Sequence, residues 1–285
     1  MQINGLTKTC GLIGNPVEHT LSPVIHNHLA ELTGHNMVYV PFRVEEQLLA
    51  EAVAGAYALG IGGLNVTVPH KERVIPYLKE IDSLAARIGA VNTLVYCEGG
   101  YKGYNTDMPG LYRAMISDGI CVDGEQIIIL GAGGVARAVA VMLADKAEEI
   151  YILNRTVEKA AAIAGEVNGY AGREVAVPMS LFDYASLPEG RYLAIQATNI
   201  GMYPKVEEAV INDKAFYDKI HTAYDLIYNP GETRFMQLVK EAGGSAYNGL
   251  KMLLYQGIIA YELWNRISIS EEQAEKIYEK LKGKL

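Results

Sequence analysis

The sequence is short of several things, and each shortage removes a class of protein. It holds three cysteines in 285 residues, Cys10, Cys97 and Cys121, with no C-x-x-C or metal-ligand spacing. An odd, scattered set argues against a disulfide framework and fits a reducing cytoplasm. There is no surplus of positive charge: 25 Lys and Arg stand against 33 Asp and Glu, a net of −8, without a long block of either sign. Nucleic acid needs a concentrated basic surface and is excluded as a main partner. Lys276, Lys280, Lys282 and Lys284 are interleaved with Glu275 and Glu279 and read as a solvated helix face. No apolar run approaches the ~18 residues of a membrane span, and the N-terminus shows no basic leader before an apolar core, so neither insertion nor secretion is expected. The histidines form no ligand set, since His26 and His28 are two apart on an expected helix and face different ways; no metal is expected. Internal repeats and low-complexity segments are lacking too.

What the chain does have is a glycine turn in an informative setting. Ile127-Ile128-Ile129-Leu130 is an unbroken apolar run, as in a strand covered on both faces of a parallel sheet. Gly131-Ala132-Gly133-Gly134 follows at once, and then Val135, Val139, Met142 and Leu143 recur at the spacing of one helix face. Strand, glycine turn and helix is the context in which Gly-x-Gly-x-x-Gly/Ala, filled here by Gly131, Gly133 and Ala136, reads as a dinucleotide fingerprint. Gly131 permits the tight turn, Gly133 lets a pyrophosphate approach the backbone, and Ala136 allows close helix–strand packing. The helix N-terminus then offers unpaired N–H groups to the phosphates. The next strand, Glu149 to Leu153, ends at Asn154 and not at an acidic residue. NAD enzymes place a carboxylate there for the ribose 2′-hydroxyl. Arg155, with a planar fork for a 2′-phosphate, and Thr156, at a helix start, point to NADP.

A long stretch precedes the glycine turn, so the cofactor unit does not begin the chain. Residues 9–14 read as a strand, and Ser22-Pro23 opens a helix, with Ser22 as N-cap and Gly34 as the stop. Met37 to Phe42 is a strand, and Glu45 to Leu59 a helix with Leu48, Leu49, Ala52, Val53 and Ala56 on one face. In Asn65-Val66-Thr67-Val68 alternation puts two polar side chains on one face before Pro69 ends the strand, and Lys71 follows. Asp82 to Ile88 is a short helix, residues 91–96 and 101–105 form a hairpin around Glu98-Gly99-Gly100, and Asp107 starts a helix. Taken alone, Lys71 reads as a surface lysine and Asp107 as an N-cap. Beyond the glycine turn, Val175–Val177, Tyr192–Thr198 and Ala223–Leu226 continue an alternation of strands and helices, the pattern of a doubly wound sheet. Leu250 to Ile267 is the longest helix, with Gly249, Met252, Gln256 and Ala260 on one stripe.

Eight blocks together resemble the shikimate dehydrogenase family over nearly the whole chain. They are residues 19–27 (HTLSPVIHN), 65–71 (NVTVPHK), 89–93 (GAVNT), 103–107 (GYNTD), the glycine turn with Asn154-Arg155-Thr156, 197–202 (ATNIGM), 225–230 (DLIYNP) and 248–256 (NGLKMLLYQ). The resemblance implies a discontinuous α/β layout. Residues 1–107, completed by the C-terminal helices of 250–285, bind the substrate, and residues 108–249 form a doubly wound Rossmann-type NADP-binding domain.

The implied reaction is NADP-dependent interconversion of 3-dehydroshikimate and shikimate. Lys71 and Asp107 would be the acid–base pair, because hydride delivery to a ketone creates an alkoxide that must gain a proton. Thr20, Ser22 and Tyr228 would hold the ring carboxylate, and Asn65, Thr67, Asn92 and Gln256 the ring hydroxyls. The cofactor would be held by Gly131, Ala132, Gly133, Gly134, Val135, Asn154, Arg155, Thr156, Thr198, Met202, Gly249 and Met252. Thr20 departs from the Ser common in the family, and its methyl bears on shikimate against quinate, leaving a quinate/shikimate enzyme of broader range as the alternative. A non-catalytic ligand sensor is an alternative of another class, against which the intact Lys71 and Asp107 argue. The expected partner is a small molecule, and the expected assembly a monomer or homodimer.

Overall fold

A computed structural model describes residues 3–284. The chain forms two compact units: one runs to Leu111 and resumes at Leu253–Lys284, and the other is Tyr112–Met252. The first contains β1 (Lys8–Gly14), α1 (Ser22–Thr33), β2 (Met37–Arg43), α2 (Leu49–Ala58), β3 (Gly63–Val66), β4 (Glu80–Ile81), α3 (Ser83–Ile88), β5 (Thr93–Cys97), β6 (Gly100–Tyr104) and the start of α4 (Asp107–Ser117). Its sheet runs β2-β1-β3-β5-β6-β4. β1 lies parallel to β2 and β3, whereas β5 is antiparallel to both β3 and β6. Leu49, Val53 and Ala56 of α2 pack on Leu64, Val66, Leu94 and Tyr101 to make one core.

Three local details differ from the sequence reading. A 3₁₀ turn, Glu46–Leu48, precedes α2 and shifts the phase of the helix, so Leu48 is exposed while Leu49 is buried. β3 stops at Val66, because the His70 N–H bonds back to the Thr67 carbonyl and the turn begins there; Val68 is exposed. Ser22 is the first residue of α1 and not its cap. Leu21 holds the N-cap position without a side-chain bond, and the Thr20 hydroxyl accepts the Ser22 N–H at 3.2 Å. Gly34 closes the helix at φ 71° as expected, a left-handed conformation that glycine adopts without a Cβ clash.

The second unit holds β7 (Gln126–Leu130), α5 (Gly134–Leu143), β8 (Glu149–Asn154), α6 (Val157–Ala171), β9 (Ala176–Ser180), β10 (Tyr192–Gln196), α7 (Lys214–Tyr217), β11 (Ile220–Asp225), α8 (Arg234–Glu241) and β12 (Ser245–Tyr247). The chain then returns to the first unit through α9 (Leu250–Asn265) and α10 (Glu271–Lys282). All six strands of the second sheet are parallel, in the order β12-β11-β10-β7-β8-β9. The first strand in sequence, β7, therefore lies at the centre, and the connections run outward from it in both directions. The crevice beyond the carboxyl ends of β7 and β10 is the switch point where ligands of such sheets bind. Ile127 to Leu130 are completely buried, as the unbroken apolar run requires.

Helix α5 differs from its expected face. Val135 is exposed and Met142 half-buried, while Ala136, Ala138, Val139, Ala140, Val141 and Leu143 are buried. A helix apolar nearly all round carries no stripe for periodicity to find, and Val135 lies at the rim of the sheet. Among the described residues no helix is long and apolar enough to cross a membrane.

Candidate active site

In the first unit a chain of hydrogen bonds ends on a lysine. The Lys71 ammonium donates to Asp107 Oδ2 at 2.7 Å, and Asn92 Nδ2 donates to Asp107 Oδ1 at 2.8 Å. Asn92 has no freedom to turn, because its Oδ1 accepts the backbone N–H of Thr106 at 2.7 Å as well as the hydroxyls of Thr106 and Thr93. A backbone donor on the oxygen fixes the amide nitrogen towards Asp107.

The elements put these groups where they are. The N–H of Asn92 bonds the Tyr104 carbonyl and its carbonyl accepts the Val66 N–H, so the ends of β6 and β3 bracket it. Asn105 accepts the Met108 N–H with its side-chain oxygen and donates to Ala90, which anchors the start of α4. The Lys71 carbonyl accepts the Val91 N–H. Lys71 and Asp107 remain 34% and 18% exposed, whereas Asn92 and Thr106 are dry. A half-exposed ion pair contributes little to stability. Its value here is an ammonium held at a fixed place and reachable by a ligand.

Other expected ligand groups belong to the same unit. Thr20 donates to Ser22 Oγ at 3.1 Å. Asn65 is buried, with its amide donating to the Asn92 carbonyl and the Thr93 hydroxyl. The Thr67 hydroxyl makes no hydrogen bond among the described residues. Gln256 lies on α9, its Nε2 donating to its own helix at Leu253 and its Oε1 left over. A Cβ on Gly110 would stand 2.6 Å from Gln256 N, so the bare backbone of α4, one turn past Asp107, touches α9 at Gln256. Tyr228 belongs to the second unit, after β11, where burial pushes its phenol up.

The second unit carries the expected cofactor residues from Gly131 to Met252. Gly131, at φ 112°, has the conformation only glycine takes readily, and a Cβ there would meet Thr198 Cγ2 at 2.9 Å. Ala132 is half-buried behind it, and Gly133 and Gly134 face open space. Gly133 caps α5 without any side-chain hydrogen bond, so the first N–H groups of a ten-residue helix remain free for an anion. At the tip of β8 Asn154 turns inward to the Thr156 carbonyl at 2.9 Å, while Arg155 and Thr156 are exposed. Thr156 is the N-cap of α6 by position, although its hydroxyl makes no capping bond. Met202 is exposed and Met252 half-buried. Gly249 is required by packing, as a Cβ would lie 2.3 Å from the Leu226 carbonyl oxygen. These features fit a pyrophosphate and a charged ribose.

A further network was not legible beforehand. Gln196 ends β10, accepting the Thr198 N–H and hydroxyl with its oxygen and donating to the Ile200 carbonyl and Asp225. Asp225, fully buried, also accepts from Thr233 Oγ1 and the Ile227 N–H, and burial pushes its carboxyl up to about 6. The only sign in the sequence is a polar residue closing each of two apolar strands.

Two family models match the chain: the shikimate dehydrogenase substrate-binding domain over residues 12–94, and shikimate/quinate 5-dehydrogenase over residues 115–180. A shikimate dehydrogenase (NADP⁺) of Carboxydothermus hydrogenoformans is 40% identical over 268 residues, covering 94% of this chain and 95% of that protein. Among solved structures, a shikimate dehydrogenase in complex with NADP⁺ is 40% identical with a TM-score of 0.87, covering 98% of this chain and 97% of that one. The Listeria monocytogenes shikimate 5-dehydrogenase in complex with shikimate and NAD is 31% identical with a TM-score of 0.90, covering 99% and 98%.

Proposed function

This chain belongs to the shikimate dehydrogenase family, and from that premise we propose that Lys71, Asp107 and Asn92 form its catalytic group. It is an NADP-dependent oxidoreductase that interconverts 3-dehydroshikimate and shikimate. The observation that carries the residue assignment is the 2.7 Å contact of Lys71 with an Asp107 carboxylate whose other oxygen is already held by Asn92.

NADPH, when bound, supplies the hydride that reduces the ring ketone. The ketone oxygen then bears negative charge, and Lys71 gives it a proton. Asp107 keeps the ammonium in place and accepts a hydrogen bond from the reacting hydroxyl; in the oxidative direction Lys71, in its amine form, takes that proton back. A positioned acid–base group of this kind is worth about 10²–10⁴ in rate. Thr20 and Ser22 offer hydroxyls to the ring carboxylate, and Asn65, Thr67, Asn92 and Gln256 offer amide and hydroxyl groups to the ring hydroxyls. Gly131, Gly133 and Gly134 would hold the pyrophosphate by their bare backbone and the α5 N-terminus. Arg155 and Thr156 would hold the 2′-phosphate, supported by the exposed fork of Arg155 and the lack of a carboxylate where β8 ends.

Initial rates with shikimate and quinate, each with NADP and NAD, test the reading as a whole. The highest kcat/KM is expected for shikimate with NADP. A higher value for quinate, or for NAD, would overturn the substrate or the cofactor assignment respectively.

A further inference from the structure

Tyr39, on β2, is only 2% exposed and is not among the groups that the family resemblance assigns to the substrate. It is nevertheless held at every part. Asn27 brackets its backbone, accepting the Tyr39 N–H at 2.8 Å and donating to the Tyr39 carbonyl at 3.1 Å. His26 stacks on its ring with centroids 4.2 Å apart and planes 18° apart, and Trp264 stands beside both rings, 4.9 Å from His26 and 6.0 Å from Tyr39. His26 is completely buried and lies beside the Asn65 side chain, with neither ring nitrogen in a hydrogen bond of good geometry, and burial pushes its pKa down to about 3. The stack is therefore neutral. Ser22, one turn before His26 on α1, lies beside the phenol. Three residues of one helix thus fix a tyrosine that does no chemistry of its own.

The phenol of Tyr39 donates to Asn65 Oδ1 at 2.7 Å. Both amide protons of Asn65 are also committed, to the Asn92 carbonyl at 3.3 Å and to Thr93 Oγ1 at 3.1 Å. Turning the amide over would set its oxygen against the Asn92 carbonyl oxygen, so the orientation is determined. A carboxamide oxygen accepts two hydrogen bonds, and one place on Asn65 Oδ1 is left.

We propose that Tyr39 is a positioning residue for ring binding, which locks Asn65 so that it can accept a hydrogen bond from a substrate hydroxyl but cannot donate one. The proposal rests on the functional reading above, with Asn65 as a ring-hydroxyl ligand, and makes it directional: one ring hydroxyl must act as a donor. Asn92, by contrast, has spent its oxygen on Thr106 and Thr93 and keeps a free amide proton, so it is a donor beside an acceptor.

Tyr39→Phe removes the hydroxyl and keeps the ring, the stack and the Asn27 bracket. The expected result is a KM for shikimate raised roughly 3- to 10-fold, the worth of one neutral hydrogen bond. kcat and the KM for NADP should stay near wild type. Asn65→Ala and the double variant complete a cycle: if Tyr39 acts through Asn65, the double variant is no worse than Asn65→Ala alone. Additive losses, or an unchanged KM in Tyr39→Phe, would overturn the proposal. Wild-type enzyme supplies an independent arm, should the variant fail to fold. At the ring position whose contribution disappears in Asn65→Ala, a deoxyfluoro analogue, which cannot donate, should lose binding and a deoxyamino analogue should keep it; the reverse order overturns the proposal. Absence of wild-type turnover with shikimate and NADP would sink the functional reading instead, so the two failures are distinguishable.

Discussion

The two candidate sites are built on opposite principles. Around Lys71 the polar groups hold one another: Asp107 is held by both oxygens, Asn92 by a backbone N–H, Asn105 by the turn it anchors. At the glycine rim of the second unit the groups are left open, with Gly133, Gly134, Arg155 and Thr156 exposed and α5 uncapped. The difference follows from the work each does. Proton transfer needs an ammonium already in its reactive geometry, so its neighbours hold it before the ligand arrives. A dinucleotide is a long anion that brings its own acceptors, and backbone N–H groups need only be unobstructed.

The strongest way to break this comparison is to remove the held lysine. Lys71→Ala should lower kcat about 10²–10⁴-fold, with much less change in shikimate KM, because the group acts mainly on the transition state. Asp107 would stay anchored by Asn92, so circular dichroism and melting should be nearly unchanged. Turnover close to wild type would remove Lys71 as the proton donor.

A second test concerns a place on the rim of the second sheet that is tied as tightly as the groups around Lys71. Asp225 is buried with its pKa raised from 3.8 to about 6, mainly by desolvation. A carboxyl whose folded pKa lies above its unfolded value binds its proton more tightly when folded. Its contribution to stability is therefore full below about pH 4, falls as pH rises towards 6, and is flat above. The whole change is on the order of 3 kcal/mol. Urea midpoints of wild type and Asp225→Asn between pH 4 and 7 should show this slope in the wild type and its loss in the variant. Parallel curves would mean that Asp225 titrates like an exposed acid.

The smallest effect is expected where the groups are open. Arg155→Ala should weaken NADP about ten- to a hundredfold, since charge-assisted bonds contribute about 1.5–3 kcal/mol each, and leave NAD little changed. KM values for both cofactors measure it directly; equal weakening of the two would detach Arg155 from the 2′-phosphate.

The open site is also the more legible one. The apolar run of β7 and the glycines after it are contiguous, so one stretch of sequence states both the strand and the anion site. Helix α1 and the β5–β6 hairpin were equally readable, through Pro23, Gly34 and Gly99-Gly100. The face of α5 was not, because an apolar helix covered on nearly all sides has no stripe. Nor was the start of α1, where Ser22 has the side chain of a cap but Leu21 holds the cap position. Lys71, Asp107 and Asn92 stand out only by resemblance; locally Lys71 looks like a surface lysine and Asp107 like a helix cap, although Asp107 is the first residue of α4 and Asn105 accepts the Met108 N–H in its first turn. Tyr39 was invisible for a further reason: its partners Asn27 and Asn65 lie 12 and 26 residues away, and only the packing of α1 on β2 and the pairing of β1 with both β2 and β3 bring them together.

The contact of α4 with α9 has a consequence for how such a site can drift. Gly110 gives the two helices a common surface with no side chain between them, so their separation at Gln256 is set by backbone radii. A single methyl there would act as a shim, splaying the two helices while leaving every side chain proposed for the ring in the sequence. Overpacking of this sort costs about 1–3 kcal/mol, which a domain of ordinary stability survives. The spacing of α4 and α9 is therefore set at a position that carries no functional group, and an inventory of functional side chains would record no change in it.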